Sequence, residues 1–288
     1  MIKINIIMKL LYLFFILINA KNSILFSGLE NWNDDQLSIQ YNLYKSYKHM
    51  NLITGSSILL YNIGSDGLIK YYNTSPIASI SSHEFQVKLK TNLGLKAYPT
   101  FFCDTSIGKC TSSEFPLSYR LNKLLENKNT FIKLTINEAL HYDWDGYYLD
   151  FEPTEVIDNY DIITDFIFEW NDALNKINRT LNIWTGGSSI FNENRIFNNS
   201  NIYLTTMSTY DSYYTEFVNV ANNYFSKISN LSKFSFGLLT YTNNLEFANE
   251  TIIQDICNWI KLTRVYSIAL WASTIPPMWF RGLQNYLV

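Results

Sequence analysis

Short β-branched or aromatic stretches, each followed by a longer amphipathic one, recur along this chain and limit its fold more than any other feature. The short stretches are SILFSGL at 23–29, LITGSSILLYN at 52–62, GLKAYPTFF at 94–102, GYYLDFE at 146–152, TLNIWTGGSS at 180–189, IYLTTMSTY at 202–210, KFSFGLLTY at 233–241 and VYSIALWAS at 265–273. Apolar residues at three-to-four spacing lie between them, clearest in NYDIITDFIFEWNDALNKI at 159–177, as a helix buried along one side requires. That helical pattern is faintest at 81–93 and near 192–198. Strands that alternate with helices pair in parallel, because each helix carries the chain back across the sheet. Eight such units in about 250 residues predict an α/β fold closed into a (β/α)8 TIM barrel. The rival is an open doubly wound sheet, but the first strand-to-helix turn lacks its glycine fingerprint.

With 288 residues, 47% of them apolar, the chain can bury one large core, and no linker, repeat array or low-complexity segment divides it. The net charge is −3 and the lysines and arginines are scattered. With no basic run and no phosphate-loop glycine motif, nucleic acid is not an expected partner. Residues 1–20 read differently from the rest. Lys3 and Lys9 precede LLYLFFILINA, which ends at Ala20 before polar KNS, the layout of a secretory signal peptide. The apolar run falls short of the roughly 20 residues that span a bilayer. Cleavage after Ala20 is therefore expected, leaving 21–288 as a single barrel that is monomeric, not held at a membrane, and secreted or delivered to a lysosome or vacuole.

Cysteine use fits that route. Cys103 and Cys110 close the short loop CDTSIGKC and are expected to pair in an oxidising compartment. Cys257, within DICNWI, is expected to be a buried, unreactive thiol. Acceptor motifs for N-glycosylation stand at Asn73, Asn178, Asn198, Asn230 and Asn249. His49, His83 and His141 are isolated, and no Cys/His group has metal-ligand spacing, so neither metal nor cofactor is expected.

Barrels of this kind carry chemistry at the C-terminal ends of their strands. There the fourth strand has Asp150 and Glu152, the sixth Tyr210 and Asp211, the seventh Tyr241 and the eighth Trp271. The fourth is the most informative. YDWDGYYLDFEPTE, at 142–155, crowds Asp143, Asp145, Asp150, Glu152 and Glu155 together in a chain with only 16% charged residues. Asp150 and Glu152 are two apart, so a strand points both to one face, roughly 6.5–7 Å apart along the backbone. Burying paired carboxylates is costly unless they share a proton or are hydrogen-bonded. No Lys or Arg lies close by in sequence to neutralise them, which favours a chemical role over an inert ion pair. Asp145 is expected to brace the strand start beside Gly146, with Asp143 and Glu155 as solvated loop acids.

At these residues the chain resembles glycoside hydrolase family 18, the chitinases and related endo-β-N-acetylglucosaminidases. The family's fourth-strand motif D-x-x-D-x-D-x-E reads DGYYLDFE here, with Asp145, Asp150 and Glu152 kept and Tyr148 in place of the middle Asp. The sixth-strand M-x-Y-D reads MSTYD, with Tyr210 and Asp211 kept and Met207 one place too far. Trp271 in IALWAS fits the eighth-strand Trp, whereas PTFFCDT replaces the third-strand S-x-G-G. The stretch between the seventh and eighth strands has no room for the extra small α+β domain that many chitinases insert there, so a shallower cleft is expected.

The resemblance implies a retaining, substrate-assisted hydrolysis of β-1,4 links next to N-acetylglucosamine, in chitin, chito-oligosaccharides or N-glycan cores. It assigns Glu152 as general acid and then base, Asp150 as the group that bonds the acetamido N–H, and Tyr210 as the group that holds the acetamido oxygen. Trp271 becomes the floor beneath the sugar, Asp211 a contact to sugar hydroxyls, and Tyr241 a lining residue. Tyr148 is counted with the substrate-binding residues and is expected to point inward with the two acids, its hydroxyl within reach of a hydrogen bond to Asp150. A binding protein of the same ancestry, holding sugar without cutting it, is the alternative. Members that lost activity typically lost the terminal Glu, which this chain keeps.

Overall fold

The computed structural model describes residues 23–28, 34–71, 82–104, 115–153, 157–186, 190–199, 201–209, 214–240, 249–263, 265–271 and 274–288. The strands, in chain order, are β1 (Ser23–Gly28), β2 (Gly55–Ile63), β3 (Ile69–Tyr71), β4 (Lys96–Ala97), β5 (Thr100–Asp104), β6 (Gly146–Glu152), β7 (Thr180–Thr185), β8 (Tyr203–Thr206), β9 (Phe234–Leu239) and β10 (Ser267–Trp271). Eight of them run parallel in the order β1-β2-β5-β6-β7-β8-β9-β10, and β1 pairs with both β10 and β2, so the sheet closes on itself. The fold is the expected (β/α)8 barrel, with β6 as its fourth strand.

Around the ring lie helices α1 (Asp34–His49), α2 (Ser82–Leu93), α3 (Leu117–Glu126), α4 (Lys128–His141), α5 (Tyr160–Asn175), α6 (Glu193–Phe197), α7 (Tyr214–Phe225), α8 (Glu250–Thr263) and α9 (Phe280–Leu287). The helix with the clearest periodicity, α5, buries Ile163, Phe166, Ile167, Trp170 and Leu174 at three-to-four spacing, as an amphipathic stripe should. The faint segment after the fifth strand is a single turn, α6, with Asn192 accepting the Arg195 N–H as its cap.

Strand alternation sorts the side chains into two cores. Phe101, Tyr147, Leu149, Leu181, Ile183, Phe234, Phe236, Ile268 and Leu270 join the helices in the outer core. Leu25, Tyr98, Tyr148, Trp184 and Ala269 form a separate inner cluster within the ring. Barrel interiors are usually filled by branched aliphatics; here aromatic rings serve, alongside small residues on other strands. Buried hydroxyls satisfy each other between neighbouring strands, Ser57 with Thr100 at 2.5 Å and Ser235 with Ser267 at 2.6 Å.

Two local features differ from the sequence reading. The second strand continues into a hairpin with β3, pairing Tyr61 with Tyr71 antiparallel. The β2–β5 register also slips between Leu59 and Tyr61, a bulge that reverses the facing of the residues beyond it. Tyr61 therefore joins the outer core, where its hydroxyl donates to Glu138 Oε2 at 3.0 Å and accepts from Trp144 Nε1 at 3.0 Å.

Candidate active site

The site is built on β6, beginning at its base. Asp145 Oδ2 accepts the Ala97 N–H at 2.9 Å and the Lys90 ammonium at 2.8 Å, so it ties β6 to β4 and α2. Asp143 meets Lys90 at 3.1 Å and Arg179 at 2.6 Å, an ion-paired position rather than the merely solvated one expected. Gly146 follows because a Cβ there would lie 2.2 Å from the Thr180 carbonyl oxygen; only glycine lets β6 and β7 approach so closely. The first Asp of the motif is thus a brace at the N-terminal end of the strand, away from the mouth.

From there the alternation runs as expected. Tyr147 and Leu149 face the outer core, and the Tyr147 hydroxyl donates to the Thr135 carbonyl at 2.7 Å. Tyr148 belongs to the inner cluster, and Asp150 and Glu152 share its parity. Asp150 is only 3% exposed, and Glu152 at the strand end is half-buried. Pro153 is buried and ends the strand, since it has no N–H to continue the ladder.

Tyr148 departs from its expected contact. Its hydroxyl meets Thr205 Oγ1 on β8 at 3.3 Å, instead of reaching Asp150. A tyrosine is long, so from β6 its ring extends across the barrel instead of folding back along its own strand. It packs 6.2 Å from the Tyr98 ring and 5.5 Å from Trp184, between ring centroids. Burial pushes its phenol above the usual range, so it stays neutral where the family motif has an acid.

Trp271 ends β10 in register with Leu239 of β9 and Ser27 of β1, and it packs part-buried on the inner cluster. Met207, displaced by one place from the motif, packs on the same cluster, and its N–H donates to the Thr185 carbonyl at 2.7 Å. Tyr210, Asp211 and Tyr241 lie outside the described residues, as do Asn73, Cys110 and Glu155. Cys103 is buried near the end of β5. Cys257 is the free, buried thiol expected, its pKa pushed up to about 12 by burial. Of the glycosylation motifs, Asn178, Asn198 and Asn249 are exposed and Asn230 is half-buried.

Sequence reasoning passed over two positions. Trp184, on the inner parity of β7, is 4% exposed and stands between Tyr148 and Trp271. The apolar outward pair Leu181 and Ile183 would have located it by the period-2 argument applied to β6. Asp104 ends β5 in register with Glu152, a placement legible only once the two strands are paired. Two cavities lined by described residues lie away from the acids. One, apolar and about 10 Å³, sits between α3, α4, α5 and β6. The other, about 20 Å³, is at the barrel base, lined by Thr54, Lys96, Tyr98, Asn182, Tyr266 and Ser267 among others.

The closed parallel barrel has the fold of several solved chitinases. A chitinase from Chromobacterium violaceum ATCC 12472 superposes with a TM-score of 0.70 at 10% identity, over 92% of this chain and 99% of that one. A class V chitinase from Pseudomonas fluorescens Pf-5 matches with a TM-score of 0.70 at 13% identity, over 93% and 100%. The spore cortex-lytic enzyme SleL of Bacillus megaterium QM B1551 matches with a TM-score of 0.67 at 12% identity, over 92% of this chain and 74% of its own. No protein-family model matches the chain, and no curated protein matches by sequence. The chain thus has the chitinase barrel fold on a sequence far diverged from these structures.

Proposed function

We propose that this chain is a glycoside hydrolase that cleaves β-1,4 links beside N-acetylglucosamine by a retaining, substrate-assisted mechanism. The observation that carries this reading is the placing of buried Asp150 and half-buried Glu152 on the inner face at the C-terminal end of β6, in a barrel whose mouth also holds Trp271. An anion beside a carboxyl raises its pKa, so Asp150 favours a protonated Glu152 at working pH. Glu152 gives that proton to the glycosidic oxygen as the bond to the anomeric carbon breaks. The sugar's own acetamido oxygen forms the new bond to that carbon, with Asp150 holding the acetamido N–H. Glu152, now a carboxylate, takes a proton from water as the water oxygen displaces the acetamido oxygen. Two displacements on one carbon retain its configuration. Tyr210, Asp211 and Tyr241 complete the contacts to the sugar in this reading, and Trp271 stacks beneath it.

Several of the structural neighbours are chitinases, which supports an N-acetylglucosamine-containing substrate. Entry to the secretory route through a signal peptide at 1–20, a Cys103–Cys110 disulfide, glycans on the exposed asparagines and a monomeric state belong to the same proposal. The free state of Cys257 supports that pairing, since it leaves Cys110 as the partner Cys103 would take. Incubation with chromogenic chitobioside and chitotrioside should give turnover by the wild type and none by Glu152→Gln. Equal turnover by the two proteins would remove the assignment.

One observation favours a second reading, a sugar-binding protein without turnover: Tyr148 is a neutral, buried packing residue where the family motif carries a proton-relaying acid. Binding of chitotriose by a wild type that never cleaves it would decide for that reading.

A further inference from the structure

Trp184 has no part in the motifs, and its surroundings give it one. Its indole is 4% exposed and lies across the inside of the ring. Tyr148 packs on it at 5.5 Å, and Trp271 meets it at 6.2 Å with the ring planes 81° apart, an edge-to-face contact. Space for so large a ring is provided by small residues: Ala269, two places before Trp271 on β10, packs against it in the inner cluster and pairs in register with Gly237 of β9. Trp271 differs from its buried neighbour in being partly exposed at the last residue of its strand. The rotamer that a partly exposed ring adopts depends on the side chains packed against it. Trp184 stands behind it, and Trp184 is fixed by Tyr148, Leu25 and Ala269.

We propose that Trp184 is a positioning residue for carbohydrate binding: its indole sets the tilt of Trp271 so that one face of Trp271 is offered to a pyranose ring. This rests on the reading of Trp271 as the sugar floor. It also accounts for Tyr148. A short acid at 148 would leave one side of Trp184 unsupported, whereas the tyrosine ring closes the column Tyr98–Tyr148–Trp184–Trp271 from the base to the mouth.

Two measurements on the full chain test this. In far-ultraviolet circular dichroism the wild type should show an exciton couplet that disappears in Trp184→Phe and in Trp271→Phe alike. A couplet that survives Trp184→Phe overturns the pairing. Calorimetric binding of tri-N-acetylchitotriose in a Glu152→Gln background should weaken about tenfold on adding Trp184→Leu and recover to within about threefold with Trp184→Phe, the span an aromatic contact commands. Undiminished binding in the Trp184→Leu protein overturns the positioning role. If Glu152→Gln alone fails to bind the trisaccharide, the glycosidase reading falls and this role falls with it. If it binds and the leucine variant binds equally, only the present inference falls.

Discussion

The two ends of β6 are built from opposite materials. At the base, Asp145 and Asp143 are held by Lys90, Arg179 and the Ala97 N–H, so every acid there has a basic or N–H partner. At the mouth, two acids stand on the inner face beside aromatic rings, and no basic residue of β6 accompanies them. The same residue types stabilise the fold at one end and, in the proposed function, transfer protons at the other. Environment makes the difference: the base acids are tied to cations and a backbone N–H, while the mouth acids stand on the inner face of the ring. A motif acid is therefore not a site acid by its type alone. Asp145 and Glu152 belong to one eight-residue pattern, yet only Glu152 is at the mouth.

Substitutions at the two ends should separate cleanly. The largest expected effect is on chemistry at the mouth: Glu152→Gln should lose about a thousandfold or more in turnover while melting within a few degrees of wild type. A collapse in melting temperature instead would make Glu152 a structural residue. At the base the order reverses. Gly146→Ala should destabilise by about 3 kcal/mol, because a methyl group 2.2 Å from the Thr180 carbonyl forces β6 and β7 apart; denaturant unfolding with an unchanged midpoint would contradict the close approach. Asp145→Ala should cost about 2 kcal/mol through the lost acceptor for Ala97 and Lys90, with kcat per folded molecule kept. A large fall in kcat at constant stability would move Asp145 to the mouth functionally.

The smallest effect concerns the base side again, where the His83 ring packs tilted against Tyr142 at 4.0 Å and stacks on Trp144 at 5.6 Å between centroids. Burial lowers the His83 pKa below its ordinary 6.5, and the nearby Glu138 opposes that shift only in part. A histidine with a lowered folded pKa takes up more protons when unfolded. Its stabilising contribution is then complete above pH about 6.5 and is lost as pH falls below that value. Melting temperature should accordingly drop more steeply on acidification in the wild type than in His83→Gln; parallel curves would assign the dependence to other groups.

Much of the barrel was legible in the sequence because its signals are local. Eight strand-and-helix alternations and the even spacing of residues 148, 150 and 152 need nothing but backbone periodicity. What escaped depended on partners far along the chain. The bulge that turns Tyr61 outward arises where β2 meets β5, and the Thr205 contact of Tyr148 spans 57 residues. Trp184 looked like one more strand aromatic until Trp271, 87 positions on, was brought to 6.2 Å from it. Asp143, read as a loop acid, is ion-paired because α2 and the turn before β7 deliver Lys90 and Arg179 to it.

The sequence by itself determined the alternation, the closed ring to which it leads, and the inward parity of Tyr148, Asp150 and Glu152, since these are properties of a chain read one strand at a time. Only the tertiary structure decided which acids are braces, that Tyr148 is a packing ring bonded to Thr205, and that Trp184 stands behind Trp271. Those outcomes depend on which strands become neighbours and how far each side chain reaches across the ring, and no local pattern encodes either.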